Sequence, residues 1–252
     1  MNLLSPMTRA VRSPRRGAAL LAFAGPPPPA VLVTMTACAT NLDRRLSAIT
    51  TGTRRGGVLV TDLDVAKVVA AVRRRAIAVV VVAGGTTPRV VRRLAMLTQR
   101  PVLVARTRTP WRRVLAATDL RGPGAPVLAL ATSLAAERDA EAFVLHSVAP
   151  SWATPALAIR PLASAAVVRR MRRLARLAVR ATPRPRVLLA SAVQPARAIV
   201  EAMTTHAAEL VVVGMRRARA GVGCAERVVA DAAGNVLVVP LAPPAAAWGA
   251  RS

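Results

Sequence analysis

Apolar residues in this chain fall into short unbroken runs separated by amphipathic stretches. The clearest case is Ala196 to Pro240. Ala196 to His206 has helical periodicity and leads into Leu210 to Val213, a run that ends on Gly214. An Arg-rich loop follows, then a short helical run, Cys224 to Ala233, and a second apolar run, Val236 to Val239, stopped by Pro240. Apolar runs without polar alternation suit strands covered on both faces. Helix, strand, loop, helix, strand is the alternation of an α/β domain with a parallel sheet. The loop after Gly214 leaves the carboxyl end of its strand, where open α/β sheets bind ligands.

The same pattern predicts the remaining elements. Ala18 to Ala24 is a first strand candidate, and Pro26 to Pro29 make a stiff turn after it. Val58 to Val60 is a short strand, and Asp62 or Asp64 can cap the helix that follows. Val65, Val68, Val69 and Val72 give that helix an apolar face. Ile77 to Val82 is a buried strand ending at Gly84-Gly85. Thr86 to Leu97 suits a helix with Pro88 in its first turn, and Val102 to Val104 is the next strand. Further on, strands are expected at Val114 to Ala117, Ala142 to Val148 and Arg186 to Ala190. Helices are expected at Ala125 to Ala136, Ser164 to Arg180 and from Pro195. The stretch "VAKVVAAVRRRAIAVVVVAGG…RPVLVAR" parallels "ARAIVEAMTTHAAELVVVGM…NVLVVPL", an internal repeat of one α/β unit joined near Thr107 to Pro110.

The pattern "ELVVVG, loop, AERVV, NVLVVP" resembles the C-terminal half of the universal stress protein family. There the strand ends on Gly, a loop patterned G-x2-G-x9-G-(S/T) cradles ATP phosphates, and a helix near "AER" precedes a strand reading "PVLVV". The likeness runs over Arg112 to Pro240. Thr118-Asp119 resembles the family's "PTD" after its first strand, and "AFVLHSV" its strand ending in "HV". The resemblance implies an α/β fold in flavodoxin or Rossmann-like style, with a parallel five-stranded sheet and ligand at the switch point. Together with the repeat it gives two tandem domains, the first reduced. The expected division is a disordered N-terminus at 1–17, a reduced domain at 18–107, a second domain at 110–243 and a tail at 244–252. Family members commonly dimerise through the last strand, so a homodimer or pairing of the two copies within the chain is implied.

Composition changes this picture little. Hydrophobic residues make up 54% of the 252, enough for a sizeable core, but aromatics are only 2% and Tyr is missing, so Ala, Val and Leu must build it. The net charge of +26 comes almost wholly from Arg, with Lys67 the single Lys. Such a surface attracts nucleic acid, anionic lipid or anionic metabolites. No aromatics interleave with the Arg clusters as base-stacking platforms would, which favours solvated Arg faces over nucleic-acid binding. Cys38 and Cys224 form no CxxC or Cys/His spacing, so neither a disulfide framework nor a metal site is indicated, and a reducing cytoplasm is the simpler setting. No apolar run reaches membrane-spanning length. Arg12, Arg15 and Arg16 before Ala18 to Ala24 faintly resemble an export signal, but the run is short and the four Pro break it.

The resemblance implies an adenine-nucleotide site on Ala117, Thr118, Asp119, Ser147, Val213, Gly214, Arg217, Gly221 and Gly223. A carboxylate at Asp119 can accept hydrogen bonds from ribose or an adenine amino group. Backbone N–H groups freed by glycines near a helix start make an anion nest. The sequence departs from the family's loop. Gly214 matches the first position, but the fourth is Arg217. The Gly-(Ser/Thr) pair falls on Val222-Gly223 or Gly221-Val222, and the loop is shortened. In one reading it no longer holds ATP tightly. In the other, Arg216, Arg217 and Arg219 replace the lost donors with guanidinium groups, which bind phosphate bidentately. The first is preferred, giving a non-catalytic regulatory protein; an ATP-binding sensor is the alternative. No catalytic base or metal-ligand set is evident. His146 and His206 read as core or surface histidines, and Cys224 as a small buried residue at a helix start. The six Arg of Ser164 to Arg180 read as a solvated face, with nucleic-acid binding the third alternative.

Overall fold

The computed structural model describes residues 18–22, 34, 58–60, 64–74, 77–118, 125–148, 169, 172, 176, 178, 181–216 and 223–241. Nine strands form one sheet: β1 (Ala18–Ala22), β2 (Val58–Val60), β3 (Ile77–Ala83), β4 (Val102–Ala105), β5 (Arg113–Ala117), β6 (Glu141–Val148), β7 (Arg186–Ser191), β8 (Leu210–Met215) and β9 (Asn235–Pro240). Continuous helices among the described residues are α1 (Val65–Arg74), α2 (Pro88–Thr98), α3 (Ala125–Arg138), α4 (Pro195–Thr205) and α5 (Cys224–Asp231). The Ser164 to Arg180 helix lies largely outside the described residues. Within it Arg169, Arg172, Arg176 and Ala178 are helical, and the three Arg are exposed.

Helix starts follow local chemistry. Pro88 and Pro195 stand in the first turns of α2 and α4, where a missing N–H costs nothing. Asp64 Oδ1 accepts the Ala66 N–H at 2.8 Å ahead of α1. The Val/Leu runs become strands buried on both faces: Val79 to Val82, Leu210 to Val213 and Val236 to Val239 are each at most 3% exposed. Alternate side chains feed two core layers. One contains Val81, Leu103, Val212, Leu237 and the apolar face of α3. The other contains Val80, Val104, Val213, Val238 and the inner faces of α1, α2, α4 and α5.

The strand order is β2-β1-β3-β4-β9-β8-β5-β6-β7. Every neighbouring pair is parallel except β4 and β9, which run antiparallel with Val102 opposite Val238 and Val104 opposite Val236. On one side of that junction β1 is flanked by β2 and β3. On the other, β5 is flanked by β6 and β8, and β7 extends the edge. Both core layers continue across the junction. The five strands expected after Pro110 (β5 to β9) continue across this junction into β1 to β4, so one nine-stranded sheet forms in which β4 and β9 satisfy each other's edge hydrogen bonds.

The junction carries specific polar contacts. Asn235 is fully buried at the start of β9. Its Oδ1 accepts the N–H of Arg106 at 2.8 Å and of Thr107 at 3.1 Å. The Arg106 guanidinium reaches over α5 and donates to the carbonyls of Val229 and Gly234. Burial pulls the pKa of Arg106 down, because desolvation disfavours its charged form. On the helical side, α2 packs against α5.

Candidate functional site

The strands β5, β6 and β8 deliver their carboxyl ends to one edge of the sheet. From β5 the chain moves outward to β6 and β7, and then returns to β8 on the opposite side. Connections leaving in opposite directions open a crevice at such a switch point. A cavity of about 420 Å³ lies there. Its floor is Ala117, Thr118, His146, Ser147, Val213 and Gly214. The loop into α4 contributes Ala192, Val193 and Pro195, and one lip is the start of α5, Gly223 to Glu226.

Six of the nine expected site residues meet at this cavity: Ala117, Thr118, Ser147, Val213, Gly214 and Gly223. Asp119, Arg217 and Gly221 lie outside the described residues. Arg216 also lines the cavity, and residues not expected there include Ile199, Met215, Glu226 and Leu241. The Gly223–Glu226 spacing at a helix start was the available signal for Glu226. It is the last three-residue step of a capping box.

Polar groups at the floor are only partly satisfied. His146 is 1% exposed. Its Nδ1 lies 2.9 Å from the Thr118 carbonyl oxygen. A carbonyl can only accept, so Nδ1 carries the hydrogen of this bond. Among the described residues, neither His146 Nε2 nor the buried Ser147 Oγ has a hydrogen-bond partner. Two buried polar atoms without partners on cavity-lining residues are what a bound polar molecule or water would satisfy. His146 is thus not the fully satisfied core histidine expected. His206 is half-buried at the end of α4, with its ring centroid 5.2 Å from that of Phe143, and packs as expected.

Gly214 has a packing reason to be glycine. A Cβ there would come within 2.5 Å of Leu241 Cδ1 and 3.1 Å of Val127 Cγ2. Gly84, in the matching place after β3, is crowded in the same way by Arg106 Cγ at 2.7 Å. Close approach of phosphate is therefore not needed to explain either residue.

The lip is built around Glu226, 7% exposed. Its Oε2 accepts the Gly223 N–H at 2.6 Å. Gly223 has no side-chain oxygen to return the second bond of a capping box, so only half of that motif forms. Glu226 Oε1 meets Arg92 Nη1 of α2 at 3.3 Å. Cys224, expected to be buried, is exposed. The first turn of α5 turns Ala225 and Glu226 inward instead, and Cys224 takes the outward position. Cys38 lies outside the described residues. Among the described residues, no group of three His, Cys, Asp or Glu could hold a metal ion, and no helix is long and apolar enough to cross a membrane.

The family model for the universal stress protein family matches residues 110–240, the half of the sheet that contains this cavity. The chain belongs to the universal stress protein family. Likeness to solved structures covers more of the chain than that match. A functionally unknown protein from Pseudomonas aeruginosa PAO1 is similar to it with a TM-score of 0.62 at 16% identity, over 90% of this chain and 94% of that one. A universal stress protein from Archaeoglobus fulgidus is similar with a TM-score of 0.58 at 12% identity, over 88% and 96%. At such identities the likeness speaks for the fold alone. A search of curated protein sequences gives no match.

Proposed function

We propose that this universal stress protein is a non-catalytic regulator of a stress response, cytoplasmic, and built from two tandem units. In this reading residues 18–107 form the reduced first unit and 110–243 the second. The β4–β9 pair supports it: two last strands meet antiparallel within one chain, as two copies of one unit would across a twofold axis. The pairing that would otherwise make a homodimer is then internal.

The cavity at the switch point is the functional site in this reading, and it does not hold ATP tightly. The observation that carries this is the Gly223 N–H. A phosphate at the start of α5 would need that donor, and the carboxylate of Glu226 already takes it. Arg217 in place of a loop glycine, and the short span from Gly214 to Cys224, point the same way.

An ATP-binding sensor is the second reading. The observation in its favour is that Thr118, Gly214, Arg216 and Gly223 line one cavity. There Arg216 could supply charge where backbone donors are missing. Nucleic-acid binding through Arg169, Arg172 and Arg176 has only charge and exposure behind it.

Calorimetric titration of ATP at two salt concentrations, with Asp119→Ala as control, separates the readings. No binding, or weak binding that salt abolishes and the substitution ignores, is the expected result. Saturable, salt-tolerant binding that Asp119→Ala removes would make the protein a nucleotide sensor.

A further inference from the structure

We propose that Arg92, on α2 in the first half of the sheet, is a positioning residue for the cavity in the second half. It acts through Glu226. The two are 134 residues apart in sequence and meet because α2 packs against α5. Arg92 Nη1 holds one carboxylate oxygen at 3.3 Å, and the other holds the Gly223 N–H at 2.6 Å. Gly223, Cys224, Ala225 and Glu226 are the lip of the cavity.

The lip needs this outside support. Gly223 is a helix N-cap without a side chain, so it contributes backbone freedom and no cap bond of its own. Its carbonyl accepts the Arg227 N–H at 3.2 Å, but its N–H is held by Glu226, whose side chain is only 8% exposed. A carboxylate so buried is held in place by its cationic partner; without one it turns toward water to recover hydration. That turn releases the Gly223 N–H. Arg92 therefore sets whether the start of α5 is closed on its own glutamate or open to the cavity. By linkage, a molecule that contacts this lip alters the Arg92–Glu226 pair to the same extent.

The functional weight of this inference rests on the cavity being the site proposed above, but its test needs no ligand. Amide hydrogen exchange at Gly223 is measured by NMR in full-length wild-type protein, Arg92→Met, Arg92→Lys, Glu226→Gln and Arg92→Met/Glu226→Gln. Met keeps the apolar stem of Arg92 and removes the charge. Arg92→Met is expected to raise exchange at Gly223 about fivefold or more, the order expected on loss of a charge-assisted, part-buried contact. Exchange at Leu94 and Ala95 in α2 should not change. Arg92→Lys should restore most of the protection, and removing Arg92 should add nothing once Glu226 is Gln. Unchanged exchange at Gly223, an equal rise in Arg92→Lys, or equal acceleration at Leu94 and Ala95 would each overturn the proposal. A failed ATP titration leaves all of these outcomes intact.

Discussion

Asn235 clamps Thr107 from both sides of its peptide unit, across 128 residues of sequence. Its Oδ1 accepts the Thr107 N–H at 3.1 Å, while its Nδ2 donates to the Thr107 carbonyl at 3.2 Å and to Thr107 Oγ1 at 3.0 Å. Thr107 follows β4 and Asn235 begins β9. One fully buried amide therefore fixes the end of the only antiparallel pairing among the described strands where β4 stops and β9 starts.

Replacing that amide with an apolar group of similar size should be costly. Asn235→Leu removes the side-chain acceptor of the part-buried Arg106 and Thr107 N–H groups. The expected loss is about 3 kcal/mol, from several unsatisfied groups at once. A fall in the urea midpoint with an unchanged slope would show it. A midpoint within error of wild type would mean that the junction is held by β4–β9 backbone pairing alone.

Arg106 should contribute through its two carbonyl contacts rather than through its charge. Burial lowers its pKa, so the folded state disfavours the guanidinium's charge. For a base with a lowered folded pKa, the destabilisation is present below that pKa and is relieved as pH rises through it. Arginine stays protonated across ordinary pH, so that relief lies at the alkaline extreme. Arg106→Met is expected to cost about 1–2 kcal/mol for two lost hydrogen bonds. The cost should be the same in thermal melts at pH 6 and at pH 9.

Gly214→Ala tests packing at the cavity floor. The added methyl meets Leu241 and Val127, and overpacking of this kind costs about 1–3 kcal/mol. Combining it with Leu241→Ala vacates the space. The double variant should be more stable than the sum of the two single losses predicts, read as a coupling term in a double-mutant cycle. Simple additivity would show that Leu241 moves aside at no cost and that packing does not dictate this glycine.

A chain beginning at Pro110 would lose β4 and expose the outer edge of β9, whose Val236 to Val239 are at most 1% exposed in the whole protein. An uncovered apolar edge strand templates pairing with another chain. Sedimentation velocity should show dimers or larger species for this fragment at concentrations where the full chain is a single smaller species. A monodisperse monomeric fragment would argue that the first half is not needed to cover that edge.

The elements themselves were legible in the sequence. Apolar runs placed the described strands β2 to β9 within two residues at each end; for β3, β4, β8 and β9 the reason is burial on both faces, which leaves no polar positions to blur them. Pro88 and Pro195 marked helix starts for the same local reason. Glycines after strands, with Thr118 and Ser147 at strand ends, predicted residues that line one cavity, since the carboxyl ends of parallel strands lie on the same side of the sheet. The sequence could not decide which strands meet. Ala18 to Ala24 reads as a first strand candidate, and β1 lies between β2 and β3 because sheet order is set by crossovers rather than by chain order. The antiparallel β4–β9 junction, the Asn235 clamp and the Arg92–Glu226 pair each join residues more than a hundred positions apart. No local period or spacing encodes such contacts. Tertiary packing also decided that Cys224 faces outward and that Gly214 answers to Leu241, because both depend on which neighbours the folded chain brings beside them.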